Sequence, residues 1–277
     1  MINQTLLQWI QQSPLPKLET RLLLQHITGY TRAQLLTRDT EKLPENQAIE
    51  LHNLIERRKC GEPIAYILGE REFYGRNFRV SPAVLIPRPE TEHLLEAALC
   101  RLPENGTLWD LGTGSGIIAI SAKLERPDVL VFASDVSDDA LQIAQSNAHN
   151  LGADVAFGQG WWFQAAGHFR LPECGCDVIV SNPPYIEQHD GHLAQGDLRF
   201  EPPHALTDFA DGLAHIREIA AQAPDYLKEN AWLMLEHGYN QGQAVREILQ
   251  QNGFRNVATL PDLAGLDRVS VGQFQAA

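Results

Sequence analysis

From residue 107 onward the chain alternates short apolar, β-branched runs with amphipathic helical segments, and that alternation leaves few folds open. The runs TLWDL (107–111), VLVFASD (129–135), DVAFG (154–158), CDVIVSN (176–182) and WLMLEH (232–237) alternate with helical stretches such as GIIAISAKLER, DDALQIAQSNAHNLG and GLAHIREIAAQAPDYLKEN. Strands that are apolar on both faces and separated by helices argue for an open, doubly wound sheet of the Rossmann-like α/β class. Two further strands, VATL (257–260) and RVSVGQF (268–274), have only PDLAGLD between them. That is too short for a crossover helix, so a seven-stranded, mostly parallel sheet with its last strand antiparallel is expected.

The first 62 residues have a different character. TLLQWIQQ, LETRLLLQHITG, TRAQLLTR and PENQAIELHNLIERRKCG carry helix start and stop signals, including Thr31 as an N-cap, Gly29 as a C-cap and Pro44 at a helix start. They predict a small helical bundle over 1–62. The aromatic and β-branched stretch EPIAYILGEREFYG predicts a β-hairpin linker over 63–87, and PETEHLLEAALCRL opens the main domain, 88–277, with a helix.

Charge is distributed as unevenly as structure. The net charge is -13, yet residues 1–75 hold nine basic and nine acidic side chains, so the excess lies wholly in the larger domain. An acidic domain is a poor match for a phosphate backbone, and no stable nucleic-acid partner is expected. RRK (57–59) reads as a solvated helix end favoured by the helix dipole. No apolar run approaches the roughly 20 residues needed to cross a bilayer, and MINQTLLQWIQQ lacks the layout of a secretory signal. A cytoplasmic location without membrane attachment is expected. Cys60, Cys100, Cys174 and Cys176 are too few for a disulfide framework, and His189 and His192 in HDGH lack the spacing of a metal motif, so no metal is expected.

DLGTGSGIIAI (110–120) is a strand end, a glycine-rich turn and a helix start. Gly112, Gly114 and Gly116 let the backbone turn tightly and bring its N–H groups to a ligand. Residue 117, where a dinucleotide fingerprint has its third glycine, is isoleucine. Asp135 ends the next strand, where a carboxylate can accept both hydroxyls of an adenosine ribose. The pair indicates an adenosyl cofactor and leaves its kind open.

SNPPYI (181–186) follows the fourth strand at the carboxyl edge, where such sheets bind ligands. Pro183 and Pro184 remove two backbone donors and stiffen the loop, which leaves it rich in acceptors. The Asn182 side-chain oxygen and the Pro183 carbonyl can each take one N–H of a planar NH2 group, with Tyr185 lying against its flat face. Held so, the nitrogen lone pair points at an electrophile such as a sulfonium methyl. The candidate catalytic residues are Asn182, Pro183 and Tyr185.

With these motifs in register, the chain resembles class I adenosylmethionine-dependent methyltransferases. GEPIAYILGEREFYG, LIPRPETE (85–92), SNPPYI, GDLRFEPPHAL and DLAGLDRVSVG narrow the resemblance to the PrmC/HemK family, the glutamine N5-methyltransferases of peptide chain release factors. The resemblance covers essentially the whole chain and implies S-adenosyl-L-methionine as cofactor, S-adenosyl-L-homocysteine as product, and class 1 release factors as protein substrates. It implies that Gly112, Thr113, Gly114, Ser115, Gly116, Asp135, Trp162 and Asn182 contact the cofactor, with Arg88 to Glu92 along its side. It assigns Asn182, Pro183, Pro184 and Tyr185 to the glutamine, with Arg199 to Pro202, including Glu201, at the substrate entrance. In this chain GQGWWF places Trp161 where many relatives carry an acidic residue suited to the adenine amine. The competing reading is an N-methyltransferase acting on the exocyclic amine of a flipped nucleic-acid base, which NPPY would also suit. The N-terminal bundle is expected to dock the substrate.

Overall fold

Every residue of the strand TLWDL is buried, and the molecule is organised around it. The computed structural model describes residues 3–275. The chain divides between Glu70 and Arg71 into two compact units.

The first unit contains α1 (Leu6–Gln12), α2 (Lys17–Thr28), α3 (Arg32–Thr37), α4 (Glu45–Lys59) and α5 (Ile64–Leu68). Two reciprocal capping boxes, Thr5 with Gln8 and Thr31 with Gln34, start α1 and α3. Gly29 ends α2 in the left-handed region at φ 68°, the role its place in the sequence implies. Leu6, Trp9, Leu23, Leu24, Leu35 and Leu51 form the apolar centre. The expected hairpin over 63–87 is only partly present, because Ile64–Leu68 is a helix between Pro63 and the left-handed Gly69. Burial of Ala65, Tyr66 and Ile67 outweighs the β propensity of that run. The hairpin itself is β1 (Glu70–Phe73) with β2 (Arg76–Arg79), turned by Tyr74 and Gly75, both at positive φ.

The second unit continues with α6 (Thr91–Arg101), β3 (Thr107–Leu111), α7 (Ile117–Glu125), β4 (Leu130–Asp135), α8 (Asp138–Leu151), β5 (Ala156–Gln159) and β6 (Cys176–Ser181). It ends with α9 (Ala214–Gln222), β7 (Leu227–Glu236), α10 (Gly242–Gln251), β8 (Arg255–Pro261) and β9 (Asp267–Gln273). Helix α9 stops earlier than its apolar pattern predicts. Pro224 breaks it into a 3-10 turn over Ala223–Tyr226, and residues 227–230 join the strand instead.

The strand order is β5-β4-β3-β6-β7-β9-β8. All pairs are parallel except those made by β9, which runs against both neighbours, as expected for the last strand. Alternate residues feed two apolar layers. Leu108, Val131, Val178, Val180 and Met234 pack with α6 and α7, whereas Trp109, Leu111, Ile179, Leu233 and Leu235 pack with α9 and α10. Fully burying each such side chain contributes about 1.5–3 kcal/mol, which makes the strand register difficult to slip. The chain reverses direction of travel between β3 and β6, so the crevice at their carboxyl ends is the expected ligand position. Among the described residues no helix is long and apolar enough to cross a membrane.

Candidate active site

Register brings three distant motifs to one edge. Leu111 of β3 lies opposite Ser134 of β4 and Ser181 of β6, so GTGSG, Asp135 and NPPY leave the sheet side by side. The Ser181 hydroxyl donates to the Leu111 carbonyl at 2.7 Å, and the Trp109 indole donates to the Ser134 hydroxyl at 3.0 Å. These two bonds fasten the strand ends beneath the loops.

The glycine turn is shaped by what surrounds it. Gly112 and Thr113 both donate to the Ser134 carbonyl, and Gly116 begins α7 at φ 85°. A Cβ on Gly116 would stand 2.6 Å from Ile120 Cδ1, so the Ile120 side chain would have to shift, and the backbone conformation itself disfavours a side chain. Gly114, at φ 55°, faces open space. Asn147 of α8 reaches in and donates to the Ser115 carbonyl at 2.9 Å.

Two carboxyl groups sit below this turn. Asp110 is wholly buried, and burial pushes its pKa up to about 7 although the Thr113 hydroxyl, donating at 2.6 Å, and the Ala119 N–H favour the charged form. Asp135 accepts from the Gly114 and Ser137 N–H groups, both at 2.9 Å. Burial raises its pKa too, and those two N–H groups act against that rise. The two accepted bonds hold the Asp135 carboxylate in place at the crevice rim.

The crevice spans about 910 Å³ of space, counting its open mouth. Gly112, Thr113, Gly114, Ser115, Asp135, Trp162 and Asn182 line it, as does Pro184. Gly116 lies behind the wall as the pivot of the turn. Arg88 and Thr91 line it from the RPET segment, with the Pro87 and Leu85 side chains beside them. Val136, Ala140, His204 and His215 also line it. His204 lies within the GDLRFEPPHAL run, two residues beyond the predicted Arg199–Pro202 border, and no motif marks the other three in the sequence.

Trp161 forms part of the lining and is partly exposed. Its indole N–H and that of Trp162 both donate to the Glu218 carboxylate, at 3.0 and 3.1 Å, and His215 meets both rings edge-on. Trp162 adopts φ 44°, which places its ring against Gly112. Position 161 thus carries an indole bound to the Glu218 carboxylate of α9 in place of an acidic side chain.

The remaining sequence candidates stand back from the cavity. Pro183 is buried, and Tyr185 points its hydroxyl toward Glu236 at 3.4 Å. Glu201 is 3% exposed and accepts from the Arg88 guanidinium and from the Ile86 N–H at 3.0 Å. In this structure its carboxylate clamps the Ile86–Arg88 segment. Arg199 is exposed, with its guanidinium 4.9 Å from the centre of the Phe200 ring. His192 pairs with Asp190 at the surface.

The N-terminal region matches the model of the PrmC N-terminal domain over residues 6–69, and residues 90–198 match the methyltransferase small domain. The release factor glutamine methyltransferase of Neisseria gonorrhoeae is 59% identical over 96% of this chain and 97% of its own length. This chain belongs to the release factor glutamine methyltransferases. Members from Bordetella pertussis, 47% identical over 97% of this chain and 99% of theirs, and from Escherichia coli, 42% identical over 96% and 95%, extend the match. A methyltransferase crystal structure from Pyrococcus furiosus superposes with a TM-score of 0.54 over 85% of this chain and all of its own at 18% identity, which agrees on the fold.

The cavity fits the methyl donor of this family, S-adenosyl-L-methionine. The open space at Gly114 leaves room for a ligand against bare backbone. The fixed Asp135 carboxylate suits a pair of ribose hydroxyls, and the apolar wall of Val84, Leu85, Ile118 and Val136 suits a flat base and its linker.

Proposed function

We propose that this protein transfers a methyl group from S-adenosyl-L-methionine to the side-chain N5 of the glutamine in the Gly-Gly-Gln motif of class 1 release factors. The observation that carries this reading is the convergence of Asn182 and Pro184 of NPPY on the same cavity as GTGSG and Asp135. When bound, the cofactor supplies an electrophilic methyl on a sulfonium. Gly112, Thr113, Gly114, Ser115, Asp135 and Trp162 would hold it, with Arg88 and Thr91 alongside.

An amide nitrogen is a weak nucleophile because its lone pair is shared with the carbonyl. The contribution available to Asn182 and Pro183 is therefore orientation: the Asn182 Oδ1 and the Pro183 carbonyl accept the two N–H bonds and turn the lone pair outward. The same oxygens favour the positive charge that grows on nitrogen during transfer. Loss of the extra proton afterwards needs no strong base, because an N-protonated amide is very acidic. Tyr185 limits the tilt of the amide plane. Glu201, bound to Arg88, shapes the entrance, and Arg199 stands at its rim.

The helical unit before Glu70 serves as the docking module for the folded release factor, and the protein works in the cytoplasm, where its substrate acts. The test is incubation with methyl-labelled cofactor, an unmodified class 1 release factor, and the same factor with its motif glutamine changed to alanine. Label on the first alone supports the proposal. Label entering ribosomal RNA or DNA, with neither factor labelled, moves the assignment to an exocyclic base amine.

A further inference from the structure

Asn182 can perform its role in one orientation only. If its amide were reversed, it would present its NH2 to the substrate NH2, donor against donor. The two orientations have nearly the same shape, so neighbouring hydrogen bonds must choose between them. In this structure Asn182 Nδ2 donates to Thr91 Oγ1 at 3.1 Å. Thr91 is the first residue of α6 and is 1% exposed.

That bond takes up the NH2 of Asn182 and leaves its Oδ1 free to accept an N–H of the substrate. Tyr185, the other side chain of the motif, is tethered separately, with its hydroxyl directed at Oε1 of the buried Glu236 at 3.4 Å.

We infer that Thr91 is a positioning residue for the transfer: its buried hydroxyl accepts the Asn182 amine and so keeps the Asn182 oxygen toward the cavity. The inference rests on the transfer reaction proposed above.

The test compares Thr91→Val, which keeps the shape and removes the hydroxyl, with Thr91→Ser, which restores it. Three quantities are measured: kcat and KM on an unmodified release factor, cofactor affinity by calorimetry, and hydrogen-exchange protection of the Asn182 side-chain NH2 by NMR. Thr91→Val is expected to lower kcat about tenfold or more, to change cofactor affinity by less than about threefold, and to abolish the amide protection; Thr91→Ser recovers most of both. Wild-type kcat in Thr91→Val, or a serine variant as impaired as the valine one, overturns the positioning role. Failure of the wild-type protein to label a release factor overturns the functional reading instead. The NMR comparison needs no substrate, so the two failures are distinguishable.

Discussion

Asn182 is half-buried, and its amine is already occupied by Thr91, so its remaining oxygen is the part that can serve a substrate. Replacing it by alanine is expected to lower kcat by about 100-fold or more while cofactor affinity changes by less than about tenfold, as kinetics and calorimetry together would show. The pKa of Glu236, raised by burial to about 7, adds a second expectation at this scale. The groups facing it are Thr91, Arg268 and Tyr185, which favour the charge, and Glu90, which opposes it. Protonation below about pH 7 would give the carboxyl a proton of its own and weaken it as an acceptor for the Tyr185 hydroxyl. Turnover should therefore fall as pH drops through 7, and Glu236→Gln should flatten that limb in a pH profile. The sequence displayed Asn182, the glycines and Asp135 because each lies in a short motif. Thr91 lay within the Arg88–Glu92 stretch, but its bond to Asn182, like the approach of Glu236 to Tyr185, depends on the adjacency of β6 and β7 with α6 packed against them.

The turn between β3 and α7 depends on Gly116 more than its neighbours show. At φ 85° and with Ile120 in the way, Gly116→Ala should destabilise the folded protein by about 1–3 kcal/mol in chemical denaturation. Gly114→Ala meets no atoms and should cost only the backbone strain of its φ of 55°, a smaller loss of stability. The middle of α9 carries Glu218, bound to two indoles, so Glu218→Ala should loosen Trp161 and Trp162 and weaken cofactor binding about three- to tenfold by calorimetry, with a smaller effect on kcat. Most elements were legible from periodicity and punctuation. The exceptions have local causes: Pro224 cuts α9 short, and the run IAYIL, which alternates like a strand, is helical because its bulky side chains find burial that way. Neither outcome is encoded in spacing alone.

At the scale of the molecule, an acidic sheet unit carries the chemistry and a charge-balanced helical unit precedes it. The direction of the last strand could be anticipated, because its connection to the strand before it is too short for a helix. The wall of the cavity could not, since His204, His215 and Val136 reach it from three separate segments. The chain matches its relatives across both units. Tandem mass spectrometry of a release factor treated with this protein and S-adenosyl-L-methionine addresses the reaction most directly. A single added methyl on the side-chain nitrogen of the Gly-Gly-Gln glutamine is the predicted result. An unmodified glutamine, or a methyl placed on another residue or on nucleic acid, would contradict it.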